Sequence, residues 1–127
     1  MKQKKLINIQ LKLRNKFLKK GVKMIAPDTV FFSKNTKIGK NVTIEPYVVI
    51  ADNVSVGDNV KILSFSHLEG VKIENNVNVG PYARLRPGTV LKSGSKIGNF
   101  VEIKKSIVGN SSKICLLYTS DAADELS

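Results

Sequence analysis

The chain has 127 residues, enough for one domain and short for two, and its 42% hydrophobic content with only 6% aromatics leans on Val and Ile, which favours strands. Its formal charge of +11 suggests a polyanion ligand only until the charge is located. Residues 1–23 hold nine Lys or Arg and no acid, while residues 24–114 hold twelve basic and seven acidic residues, so no nucleic-acid partner is expected. The single Cys115 excludes an internal disulfide framework and suits a reducing cytoplasm, and no apolar run approaches the ~18 residues that span a bilayer. Neither a secretory signal nor stable membrane association is therefore expected.

In chain order, the first element is KKLINIQLKLRNKFLKKGVK. Leu6, Ile9 or Gln10, Leu13 and Phe17 fit one helical face, and Gly21 is placed to cap a helix C-terminus. The alternation of Ile7, Ile9, Leu11 and Leu13 with polar residues would equally suit a strand. Strong helix formers and the glycine stop favour a basic helix over residues 1–23, with Pro27 marking the entry to the next element.

From Phe32 a six-residue ruler runs along the chain: Ile38, Ile44, Ile50, Val56, Ile62 and Leu68. A five-residue step leads to Ile73, and the ruler resumes through Val79, Leu85, Leu91, Ile97 and Ile103. A second five-residue step reaches Val108, and one more six reaches Ile114. Two residues before these positions stand small or β-branched residues such as Thr36, Val42, Val54, Ala83 and Val101. Positions i−2 and i face the same side of a strand, so each hexad offers one short strand with an inward pair. Gly, Asn and Asp between them turn the chain sharply.

Like residues recur every third hexad. Tyr47, Phe65, Tyr82 and Phe100 mark one corner; Asn41, Asn59, Asn76 and Gly94 a second; Asn35, Asn53 and Gly88 a third. This predicts an all-β triangular coil of parallel strands over residues 24–114, with like side chains stacked at its corners. Spacing alone does not give the handedness, and a 3.6-residue period is absent.

The stretch PYARLRPGTVLKSGSKIGNFVEIKKS, residues 81–106, resembles the acetyltransferase half of a bacterial bifunctional family. Its members join N-acetylglucosamine-1-phosphate uridylyltransferase and glucosamine-1-phosphate N-acetyltransferase activities. The resemblance extends from about Gly21 to Lys113. It implies a left-handed parallel β-helix, a homotrimer, a role in making UDP-N-acetylglucosamine, and acetyl-CoA as co-substrate. Mg2+ would serve only the uridylyltransferase half, whose Gly-rich nucleotide loop this chain lacks. The segment before Gly21 would correspond to the helix that links the two halves.

In such enzymes the second Arg of RLRPG and the first Lys of the KK pair hold the sugar phosphate, which here are Arg86 and Lys104. The ruler itself supports their proximity. Each follows an inward residue, Leu85 or Ile103, and the two lie 18 residues apart, one coil. Rungs stack about 4.8 Å apart, so both side chains should leave one column of one face. A guanidinium fork beside an ammonium suits phosphate oxygens. Glu69 shares the column one coil earlier and could orient Arg86.

Deprotonating the acceptor amine calls for a base with a pKa near neutrality, usually His. The family pattern after GNSSK implies that His three residues past the Lys and a Tyr three further on, where this chain has Leu116 and Thr119. No catalytic residue is therefore assigned, and no metal site. His67, the only histidine, is read as a surface loop residue, and one His cannot supply the three that a zinc anhydrase of this fold needs. CLLYTSDAADE resembles a translated sequencing adapter, so residues 115–127 are expected to be foreign to the domain, with a natural divergent tail as the alternative. The chain is thus expected to be a fragment that keeps part of the sugar-phosphate site and transfers no acetyl group. A non-catalytic trimeric scaffold is the second reading, and a basic-helix module for a polyanion or anionic membrane the third.

Overall fold

The computed structural model describes residues 2–114. The leading segment is a helix, α1 (Lys2–Lys19), and Gly21 follows it at φ +95°, ending the helix as its position suggested. Eight short strands come next: β1 (Lys23–Met24), β2 (Val30–Phe31), β3 (Lys37–Ile38), β4 (Thr43–Ile44), β5 (Val48–Ile50), β6 (Ser55–Val56), β7 (Lys61–Ile62) and β8 (His67–Leu68). The pattern continues through β9 (Lys72–Ile73), β10 (Asn78–Val79), β11 (Ala83–Leu85), β12 (Val90–Leu91), β13 (Lys96–Ile97), β14 (Val101–Ile103), β15 (Ile107–Val108) and β16 (Lys113–Ile114). A 3-10 turn, Pro27–Thr29, lies between β1 and β2.

Every third strand pairs in parallel. The three sheets run β1-β4-β7-β10-β13-β16, β2-β5-β8-β11-β14 and β3-β6-β9-β12-β15. The result is a three-faced parallel β-solenoid of about five coils, as the ruler predicts. All fifteen ruler residues from Phe32 to Ile114 are buried, and their partners two positions earlier are buried with them. Each aliphatic side chain so removed from water contributes about 1.5–3 kcal/mol. Because the strands are only two or three residues long, this column of side chains is the core of the solenoid, to which Phe17 and Val22 add at its first coil.

The corners bend through left-handed backbone. Tyr47, Phe65, Tyr82 and Phe100 all have φ between 56° and 63°, as do Asn41, Asn59 and Asn76 in the second corner. Bulky residues rarely accept that conformation. Here the rings offset it by stacking on one another, with centroids 5.3, 5.0 and 4.9 Å apart. Asparagines form amide ladders instead: Asn41 Nδ2 donates to Asn59 Oδ1 at 2.7 Å, and Asn35 Nδ2 to Asn53 Oδ1 at 2.8 Å. The third corner includes two residues the spacing had not singled out, Gly70 and Lys105 (φ 57° and 48°). A Cβ on Gly70 would lie 2.8 Å from the Pro87 backbone, so this corner admits only glycine there.

Both five-residue steps fall at this third corner, between Leu68 and Ile73 and between Ile103 and Val108. His67 is not a loop residue. It stands at the outward position of β8, in register with Val49 and Arg84, because the short step begins only after Leu68.

The first coil needs a cover, since the β2 edge would otherwise present unpaired backbone groups. The helix α1 supplies it. The Gln10 amide acts as a strand substitute: Nε2 donates to Phe32 O at 2.8 Å, and Phe32 N donates to Gln10 Oε1 at 2.9 Å. Arg14 Nε donates to Val30 O at 2.9 Å, and the buried Phe17 ring packs 4.7 Å from Phe32. The helical face foreseen from Leu6 is thus rotated toward its C-terminal half, where Arg14 and Phe17 are buried while Leu6 is 58% exposed.

Two outcomes follow from this packing. Gln10→Ala should cost about 1–3 kcal/mol in urea unfolding, because two edge groups lose their partner, whereas Leu18→Ala at the exposed face should change stability by less than about 0.5 kcal/mol. Glu74 gives a pH test. Partial burial pushes its carboxyl up, but the Ser93 N–H bond and the Lys92 charge outweigh that and hold it below its ordinary value of 4.5. A carboxylate lowered on folding stabilises above its unfolded pKa, and that contribution is lost as pH falls through the folded one. Thermal melts of Glu74→Gln should therefore decline less steeply than those of the parent below pH 4.5.

Candidate functional site

The sheet β2-β5-β8-β11-β14 carries both residues that the sequence picks out. Leu85 is in register with Ile103, and Arg86 N donates to Ile103 O at 2.8 Å. Arg86 therefore sits directly above Lys104, each being the first residue to leave its strand for the third corner. Arg86 is partly exposed and Lys104 exposed, so both cations reach solvent from adjoining rungs.

The corner beneath them is locked by hydroxyl groups. Thr89, buried at 1% exposure, donates through Oγ1 to Arg86 O at 2.8 Å and shares the same hydrogen with Ile103 O at 3.2 Å. Ser106 Oγ donates to Lys104 O at 3.2 Å. The ruler marks Thr89 as a small inward residue; its role as a tie between the two site-bearing coils depends on a contact across 14 residues that spacing does not reveal.

The counter-charge is not the one expected. Glu102, outward on β14, places Oε2 3.6 Å from Arg86 Nη1 and 3.5 Å from Arg84 Nη1. Glu69 stands in the Arg86 column, yet the carboxylate that meets Arg86 is Glu102. The reason is directional. Side chains at outward positions stand up from the sheet, where Arg84 and Glu102 are direct register partners, and the long Arg86 fork swings back over that pair. The patch is a cationic surface of Arg84, Arg86, Lys104 and Lys105 with one carboxylate shared between two guanidinium groups. Its charges suit a phosphate, and His67 stands outward on the adjoining rung, in register with Arg84. Among the described residues no group of three His, Cys, Asp or Glu is placed to hold a metal. Leu116 and Thr119, with the rest of residues 115–127, lie outside the described residues.

Comparison with known proteins agrees with the fold. The profile of the bacterial transferase hexapeptide repeat matches residues 35–70 and 70–105. The chain belongs to the bacterial transferase hexapeptide family. The bifunctional protein GlmU of Zymomonas mobilis is 50% identical over 114 residues, which are 89% of this chain and 25% of that protein. GlmU of Azorhizobium caulinodans is 47% identical over 115 residues, 90% of this chain and 26% of that protein. The chain thus spans about a quarter of the length of these relatives and corresponds to their C-terminal hexapeptide-repeat region.

Solved structures share the fold at low identity. A hexapeptide-repeat acetyltransferase from Vibrio cholerae superposes with a TM-score of 0.71 at 14% identity, covering 89% of this chain and 86% of that one. PerB from Caulobacter crescentus, solved in complex with CoA and GDP-perosamine, gives 0.59 at 17% identity over 93% of this chain and 65% of that one. Among the described residues no helix is long and apolar enough to cross a membrane.

The two kinds of contact in this corner should separate in unfolding experiments. Thr89→Val removes a buried hydroxyl bond and should cost about 1 kcal/mol. Glu102→Gln breaks only exposed ion pairs and should cost less than that, with the small difference vanishing at high salt.

Proposed function

We propose that this solenoid is the sugar-phosphate-binding part of a glucosamine-1-phosphate N-acetyltransferase in UDP-N-acetylglucosamine synthesis, and that Arg86 and Lys104 grip the phosphate. The observation that carries the reading is the stacking of these two cations on adjoining rungs within a region 50% identical to GlmU. The Arg86 fork suits two phosphate oxygens at once, and the Lys104 ammonium adds a compact charge beside it. A ligand phosphate would compete with Glu102 for Arg86, exchanging an exposed, shared contact for a dedicated one.

In the full reaction the acceptor amine, once deprotonated, attacks the thioester carbonyl of acetyl-CoA, and the CoA thiolate departs. Acetyl-CoA supplies the activated acyl group. This chain's own contribution is to bind and orient the sugar phosphate, since Leu116 stands where the resemblance calls for the base. We therefore assign the chain no acetyl transfer of its own. The reading includes a homotrimer in the cytoplasm, with the remaining faces of the solenoid meeting neighbouring subunits.

Titration of the chain with UDP-N-acetylglucosamine tests the grip. Binding should be saturable, and Arg86→Ala or Lys104→Ala should weaken it at least about tenfold, the worth of a charge-assisted bond. Absence of saturable binding would favour a trimeric scaffold instead, and binding unchanged in both variants would mean that Arg86 and Lys104 are not the grip. Acetyl transfer to glucosamine-1-phosphate by the purified chain would contradict the role given to Leu116.

A further inference from the structure

A second cationic feature lies at the opposite end of the solenoid. Arg14 is 8% exposed, yet among the described residues no carboxylate oxygen lies within 4.0 Å of its guanidinium. Among the described residues Nε alone is hydrogen-bonded, to Val30 O, and the Cζ atom sits 4.9 Å over the Phe31 ring. The Nη groups are not sealed from solvent, because no buried side-chain nitrogen lacks a partner. They open onto a groove of about 500 Å³ between α1 and β2, which Arg14 lines.

The walls of this groove are apolar. Leu6, Ile7 and Phe31 line it and are 58%, 50% and 45% exposed. Gln3 stands at the far end from Arg14, about 16 Å along the helix axis at 1.5 Å per residue. Gln10 also lines the groove, but its amide is committed to Phe32. The one carboxylate present, Asp28, is exposed at the rim and forms no ion pair with Arg14.

Arg14 keeps its charge by resting on the Phe31 ring and leaving its Nη groups open to the groove, so those N–H donors are available to an anion. A groove of this volume has the size of a small-molecule site. We propose that the α1–β2 groove binds a medium-chain carboxylate, with the carboxylate on the open Arg14 fork and the alkyl chain laid along Leu6, Ile7 and Phe31. Both halves of the ligand are needed. An anion alone would leave the walls wet, and an alcohol of the same chain would leave the guanidinium unpaired.

Calorimetric titration of the full chain with dodecanoate, kept below its micelle threshold, is the test. One saturable site per chain is expected, with acetate and dodecanol each binding at least tenfold more weakly. Arg14→Gln should lose at least tenfold in affinity. Should that variant not fold, Leu6→Ser at an exposed position keeps the fold and should also weaken dodecanoate at least tenfold. Equal binding of dodecanol and dodecanoate, or unchanged affinity in Leu6→Ser, would overturn the proposal. So would concentration-dependent self-association that Leu6→Ser abolishes and dodecanoate leaves intact, since that would assign the groove to a second copy of the chain.

Discussion

Backbone hydrogen bonds that pass from each coil to the next set every other distance in this molecule. They hold rungs about 4.8 Å apart and, from β2 onward, tie residue i to residue i+18, or to i+17 where a corner drops one residue. An aliphatic side chain on one rung must then sit on an aliphatic side chain of the next. The same rule applies outside, so stacked asparagines, stacked rings and stacked cations are consequences of one constraint. Arg86 meets Lys104 because Leu85 meets Ile103.

That constraint explains why so much could be read from spacing. The buried column from Phe32 to Ile114, the parallel three-faced coil and the aromatic and asparagine corners all depend on local repeats of fixed length. What spacing does not hold is which long side chain reaches which. Gln10 is only the alternative to Ile9 on the inward helical face, and Arg14 looks like a solvent position, until the helix docks on the β2 edge. Glu69 looks like the partner of Arg86 because it shares a column, whereas side-chain direction brings Glu102 instead. His67 looks like a loop residue because a short step follows it, although the strand persists through Leu68.

The two ends of the solenoid handle charge differently. Near the C-terminal coils, exposed cations share one carboxylate in water, a cheap arrangement that an incoming phosphate can replace. At the first coil, Arg14 is withdrawn from water by the helix that closes the strand edge. The same helix thus shields the open end and creates the groove beside it. The basic excess of the first residues, which composition alone would assign to a polyanion, is partly structural.

The central claim is that the coil register makes Arg86 and Lys104 one phosphate-binding unit. A double-mutant cycle on glucosamine-1-phosphate binding, using Arg86→Ala, Lys104→Ala and the double variant, tests it most directly. Two cations gripping one phosphate should show an interaction energy of at least about 0.5 kcal/mol. Strictly additive losses would mean that the two side chains act on different groups and that their stacking is incidental.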